Sequence, residues 1–207
     1  MTRLELVRHG QTDWNLQGRI QGSSDIPLNN VGRRQAVEAG RRLAKQRWDA
    51  IVTSPLSRAA ETAEIIGREI GVADIEIIDA LRERGYGDAE GLTGAELDAM
   101  RERGDFVRGR EKRSHVVERV RPALIEVARR RPDQSLLVVT HGGVIGSLVR
   151  AATGYAWPEP GQMIANASSH HFAYRDGEIG LVEFNGMPWR PGEVETNPLD
   201  EADAAAC

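Results

Sequence analysis

The sequence predicts an α/β fold: a three-layer sandwich whose central sheet is mostly parallel, with an antiparallel edge and helices on both faces. Three observations carry this expectation. Short strand-like runs near residues 4–7, 50–53, 75–78 and 136–140 alternate with helical periodicity, the pattern of βα units. Leu136, Leu137, Val138 and Val139 run apolar without a break, as in a strand covered on both faces. Two late strand-like segments, near 169–174 and 178–184, flank Asp176-Gly177, a hairpin signal that joins antiparallel neighbours.

The elements follow in order. Leu4-Glu5-Leu6-Val7 forms a first strand that ends in Arg8-His9-Gly10. Residues 11–30 are polar, with Gly18, Gly22, Pro27 and Asn29-Asn30, and read as an ordered loop. Ala36, Ala39, Gly40 and Leu43 recur at helical spacing within about 31–47. A second strand, 50–53, stops at Ser54-Pro55, where the proline suits a first helical position. Leu56, Ala59, Ala60, Ala63, Ile66 and Ile70 then trace the clearest amphipathic helix. After a third strand, a loop containing Gly85, Gly87, Gly91 and Gly94 leads to a short helix near 94–103, and 104–113 is expected to be irregular. Val116, Val120, Leu124 and Val127 mark a helix in which Pro122 is expected to kink or restart the chain. The strand 136–140 runs into His141-Gly142-Gly143 and a helix bearing Val144, Ile145, Leu148 and Val149.

Composition narrows the function classes. At 207 residues, 40% hydrophobic and 28% charged, the chain resembles an ordinary globular protein. One domain is expected over 1–190, followed at 191–207 by an acidic, disordered tail. Glu193, Glu195, Asp200, Glu201 and Asp203 lie in that tail without Lys or Arg and account for the net charge of −4, so the remainder is nearly neutral. A nearly neutral body offers no basic field for nucleic acid. No apolar stretch approaches the roughly 20 residues of a membrane span. The N-terminus lacks the order of a secretory signal, and Cys207 is the one cysteine. A cytoplasmic enzyme is the expectation. A homodimer formed along the hairpin's edge strand is compatible with the pattern.

In α/β folds ligands bind at the carboxyl ends of strands. Arg8-His9, Ser54 with Arg58, and His141-Gly142 all sit just past predicted strands, so three segments can converge on one pocket. Arginine forks pair with phosphate oxygens. A neutral imidazole can attack phosphorus and split a hydrolysis into two displacements. Backbone N–H groups at Gly10 and at the helix after His141 can take further oxygens. A carboxyl such as Glu83 can protonate the leaving oxygen and then activate water. Alone, His9 would pass for a satisfied histidine at a strand end, Arg58 for a surface cation and Glu83 for one of a solvated charge cluster. His170 and His171 are adjacent on a strand, point to opposite faces and cannot readily share an ion, so no metal and no cofactor are expected. The arginines at 101, 103, 108, 110 and 113 read as a solvated face, from which one could reach a substrate's distal group. The glycines at 85–94 lack the strand–glycine–helix order of a phosphate-binding loop.

Leu6-Val7-Arg8-His9-Gly10-Gln11-Thr12-Asp13-Trp14-Asn15 resembles the N-terminal signature of the histidine phosphatase superfamily, which includes the cofactor-dependent phosphoglycerate mutases. The similarity continues through Gly18-Arg19-Ile20-Gln21-Gly22, Thr53-Ser54-Pro55-Leu56-Ser57-Arg58-Ala59, Leu81-Arg82-Glu83 with Gly91-Leu92-Thr93, and Val138-Val139-Thr140-His141-Gly142-Gly143. Asn166-Ala167-Ser168 resembles the family's C-terminal part. The resemblance implies that His9 is the phosphorylated nucleophile and that Arg8, Arg58 and His141 bind the transferring group. Asn15, Gln21, Gly22 and Gly142 would complete the phosphate pocket, with Glu83 as proton donor and acceptor. One departure stands out. Many relatives carry Gly-Glu-Ser before the helix that leads to the last parallel strand, where this chain reads Arg113-Ser114-His115. Only 57 residues separate Glu83 from His141, a short insertion that favours hydrolysis over mutase activity. A phosphatase for a small phosphorylated metabolite is therefore expected; the alternatives are a phosphoglycerate mutase and a non-catalytic phosphoryl-binding protein.

Overall fold

The structure is a computed structural model that describes residues 1–191; the acidic tail expected beyond Pro191 lies outside the described residues. Seven strands form one sheet in the order β3-β2-β4-β1-β5-β6-β7. Strands β1 (Thr2–Arg8), β2 (Ala50–Thr53), β3 (Ile75–Ile77) and β4 (Ser135–Thr140) are mutually parallel. Strands β5 (Ser169–Arg175), β6 (Glu178–Phe184) and β7 (Met187–Pro188) extend the sheet antiparallel from β1. The β5–β6 turn places Asp176 at φ 53° and Gly177 at φ 89°, the doubly left-handed geometry whose twist matches the flanking strands.

Alternation along the central strands builds the two cores. Leu4, Leu6, Ala50, Val52, Leu136 and Val138 face one side. There they meet α5 (Arg113–Arg130) and α6 (Gly142–Ala152) through Val116, Val120, Leu124, Val144, Ile145 and Leu148. Val7, Ile51, Leu137 and Val139 face the other, against Ala39 and Leu43 of α2 (Asn30–Leu43) and Ala59, Ala63 and Ile66 of α3 (Ser57–Ile70). A one-residue slip would turn each of these side chains to the opposite core, where misfit of shape and volume costs about 1–3 kcal/mol for each overpacked one. The register is therefore strongly specified: Leu4 pairs with Leu136 and Leu6 with Val138.

Some local expectations change. The loop at 11–30 contains a short helix, α1 (Asp13–Leu16), capped by Thr12, whose hydroxyl accepts the Asn15 N–H while the Asn15 side chain accepts from Thr12 N. Pro55 is not the first helical residue. Helix α3 starts at Ser57, because Ser54 Oγ holds the Leu56 N–H in a turn and Leu56 is still extended (φ −65°, ψ 134°). Pro122 lies inside a continuous 18-residue α5 without restarting it; Val116 and Val120 before it and Leu124 and Val127 after it pack in the same core. Helix α4 (Gly94–Glu102) follows two short 3₁₀ turns, and β7 adds a strand the sequence reading did not contain.

Candidate active site

Sheet register builds the site. Arg8 pairs with Thr140 and Thr53 with Val139, so the residues that follow, His9, Ser54 and His141, emerge together at the carboxyl edge. The His9 N–H donates to Thr140 O at 2.9 Å and the Ser54 N–H to Val139 O at 3.1 Å, extending the ladder to the edge. The His9 and His141 rings lie with centroids 5.2 Å apart. Arg8, His9, Asn15, Gln21, Gly22, Arg58, Glu83 and Gly142 line one cavity of about 450 Å³, within the usual size of a metabolite site. His141 is fully buried beside His9 and does not line the cavity wall.

Hydrogen bonds define the chemical state of the site. His9 Nδ1 is 2.7 Å from Gly10 O. A carbonyl only accepts, so Nδ1 carries the proton and Nε2 presents its lone pair. Burial, then the Arg8 and Arg58 charges, hold the His9 pKa well below its ordinary value, against the opposing bond to Gly10. The ring is neutral near pH 7. His141 is depressed by burial and by Arg58, His9 and Arg8; its Nε2 lies 2.8 Å from Ser54 Oγ, and its Nδ1 is buried without a partner. Arg58, fully buried, donates from Nη1 and Nη2 to Ser24 O and Gly22 O, both at 2.8 Å. The Nε atoms of Arg8 and Arg58 and Oε1 of Gln21 are buried and unpartnered. Buried donors without partners on two cations that line one cavity fit an anion with several acceptor oxygens. Glu83 accepts the Arg84 N–H at 2.7 Å and the Gly143 N–H at 3.2 Å. Burial raises its pKa, opposed by those two bonds and by Arg58 and Arg8. A Cβ on Gly143 would stand 2.5 Å from Glu83 Oε1, so that glycine gives the carboxyl its place.

The family model described as histidine phosphatase superfamily (branch 1) matches residues 4–186. The chain belongs to the histidine phosphatase superfamily. It is 37% identical over 185 residues to the uncharacterized phosphatase PhoE of Bacillus subtilis, covering 89% of this chain and 95% of that protein. It is 35% identical over 212 residues to glucosyl-3-phosphoglycerate phosphatase of Mycobacterium tuberculosis, covering 91% and 92%. A solved mycobacterial glucosyl-3-phosphoglycerate phosphatase in complex with VO3 superposes with a TM-score of 0.77 at 33% identity, covering 88% of this chain and 98% of that one. In its coarse chemistry this histidine phosphatase is a phosphomonoester hydrolase for a small phosphorylated metabolite.

One expected phosphate donor is committed elsewhere in the phosphatase: the Gly10 N–H donates to Thr62 Oγ1 at 3.1 Å. Gly10 is needed for another reason, since a Cβ there would meet Gly32 O at 2.4 Å. Gly142 lines the cavity at the first position of α6, where the N–H has no acceptor within the helix. His170 packs on Phe184 with centroids 4.9 Å apart while His171 is half-buried on the opposite face. Among the described residues, no three His, Cys, Asp or Glu side chains gather as a metal site requires, and no helix is long and apolar enough to cross a membrane.

Sequence reasoning missed the residues that hold this site in shape. The Glu90 carboxylate accepts the N–H groups of Ser23, Ser24 and Tyr86 and the hydroxyls of Ser23 and Ser24. Burial pushes its pKa up, and these donors more than offset that, leaving it lowered. Glu90 thereby fixes the carbonyls that hold Arg58. Arg119 of α5 donates to Ala80 O, Arg82 O and Glu83 O and pairs with Glu111, which in turn accepts the Gly85 N–H. That clamp grips the backbone on both sides of Glu83. Asn166 donates to His9 O at 3.0 Å and to Asn15 Oδ1 at 3.1 Å, which engages the oxygen of a side chain that lines the cavity. Glu90 and Arg119 have no local sequence signal beyond being polar, because each partner is distant in the chain; Asn166 lies in a segment that carries the family resemblance, but its bonds to His9 and Asn15 were not legible there.

Proposed function

We propose that the enzyme hydrolyses phosphomonoesters through a phosphohistidine formed on Nε2 of His9. The observation that carries this reading is the Nδ1–H bond from His9 to the Gly10 carbonyl, which directs a neutral ring's lone pair toward a cavity bordered by two unpaired guanidinium Nε–H groups. In the first step Nε2 attacks phosphorus and the bond from phosphorus to the ester oxygen breaks. Glu83, whose burial favours the protonated form, gives its proton to the departing alkoxide. Arg8 and Arg58 stabilise the equatorial oxygens as charge redistributes. Asn15, Gln21, Gly22 and Gly142 complete the phosphate pocket, and His141 holds the second imidazole position beside His9. In the second step the Glu83 carboxylate takes a proton from water, the water oxygen bonds to phosphorus, and the P–N bond breaks to release inorganic phosphate and the neutral imidazole.

The deciding experiment is phosphate release from a metabolite panel without a bisphosphate primer, with His9→Ala as the control. The expected result is free phosphate from the wild type and none from the variant, with an acid-labile phosphoryl group trapped on His9 after rapid quenching. Primer-dependent isomerisation with little release would identify a mutase instead, and a phosphoryl group on any other side chain would end the proposal.

A further inference from the structure

Beyond the phosphate pocket the cavity carries two more cations that the proposed mechanism does not use. Arg113 and Arg150 both line it and both are half-buried. Neither guanidinium group has a hydrogen bond or ion pair among the described residues, whereas that of the third outer arginine, Arg19, is occupied by Gly91 O and Glu96. Arg113 Nη1 lies over Gly146, 4.0 Å from where a Cβ would stand. Gly146 is one helical turn before Arg150, and residues four apart share a helix face. Gly142, Gly146 and Arg150 thus run along one stripe of α6, from the phosphate pocket outward over about 12 Å.

The placement of Arg113 has no evident stabilising purpose. It is the first residue of α5, whose N-cap, Lys112, makes no side-chain cap bond. A cation at the positive end of a helix is unfavourable, and partial burial without a partner adds to that cost. Among the described residues, Glu83 is the one acidic residue lining the cavity, and it lies at the phosphate pocket rather than beside either cation. Two unpaired cations on one wall, outward of the transferring group, call for an anion from the substrate.

We infer that Arg113 and Arg150 form a distal anion subsite, so that the preferred substrates are phosphomonoesters bearing a second negatively charged group. A carboxylate and a second phosphate meet the same requirement. The inference rests on the phosphatase reading for its catalytic half and on the two arginines for its specificity half.

The test compares kcat/KM for three substrates: 3-phosphoglycerate (second anion a carboxylate), fructose 1,6-bisphosphate (second anion a phosphate) and β-glycerol phosphate (no second anion). The wild type should favour at least one of the first two over the third by about tenfold or more, the worth of hydrogen bonds to a charged partner. Which one is favoured identifies the distal group. In Arg113→Gln and Arg150→Gln that preference should fall toward unity, chiefly through KM, and Arg113→Lys should retain part of it. Calorimetric binding to His9→Ala reads the same preference without turnover, so the subsite is tested even if the phosphohistidine reading fails. A wild type without preference overturns the inference, as do Gln variants that keep the wild-type ratio both in turnover and in binding.

Discussion

At the scale of single residues, the sequence exposed the groups proposed to react and hid their supports. His9, Arg58 and Glu83 each sit in an ordered motif. Glu90, Arg119 and Asn166 act through backbone groups far away in the chain, on Ser23 and Ser24, on residues 80–83, and on His9 O. The Glu83 carboxyl lies between donors that favour its anion and burial that favours its acid. Glu83→Gln keeps the shape and removes the transferable proton. Turnover of an alkyl phosphate should fall by about 10²–10⁴-fold. An aryl phosphate such as p-nitrophenyl phosphate, whose leaving group needs no proton, should lose much less in the phosphorylation step measured as a single-turnover burst. Equal losses for both would show that Glu83 acts on positioning rather than on the leaving oxygen.

Among the elements, periodicity placed the helices and strands well and failed where a few hydrogen bonds decide. Helix α1 is one turn long, and its cap depends on Thr12 and Asn15 satisfying each other; no hydrophobic repeat marks so short an element. The misplaced start of α3 has the same origin, since Ser54 Oγ rather than proline geometry sets the turn. Helix α5 carries the clearest consequence. Pro122 is exposed within its interior, so little apolar burial is at stake, while proline there forgoes a helical hydrogen bond. Pro122→Ala should stabilise the fold by about 1–3 kcal/mol, read as a rise in the denaturation midpoint with kcat/KM unaltered. A neutral or destabilising result would mean that the restricted backbone of proline helps fit α5 to the sheet.

For the molecule as a whole, the buried histidines couple protonation to folding. Burial sets His9 and His141 well below the ordinary value and His170 at about 4. His170 Nδ1 also accepts the Asn185 N–H, a bond that protonation would abolish. Each group binds protons more readily in the unfolded chain, where its pKa is about 6.5. Stability is therefore full above roughly pH 6.5 and declines as pH falls toward the folded values, by about 1.4 kcal/mol per pH unit for each histidine. Glu83 opposes this: with its pKa raised, its contribution is present at acid pH and lost as pH rises through the folded value. Three histidines outweigh one carboxyl, so the melting temperature should drop between pH 6.5 and 4. His170→Gln should flatten that decline by about one histidine's share. An unchanged slope in the variant would remove His170 from the account.

Alternating strand and helix patterns, an unbroken apolar strand and Asp176-Gly177 were enough by themselves to specify the sandwich, because side-chain period and turn chemistry are local properties. The order of motifs at strand ends likewise specified which residues would meet. What the linear chain could not contain was orientation. That the Nδ1–H of His9 is bound by Gly10 O, that Gly10's own N–H turns to Thr62, and that Arg113 leans over Gly146 beside Arg150 depend on which backbone and side-chain groups approach across the fold. Hydrogen bonds and ion pairs act over a few ångströms, and only the tertiary structure brings residues tens of positions apart to that range.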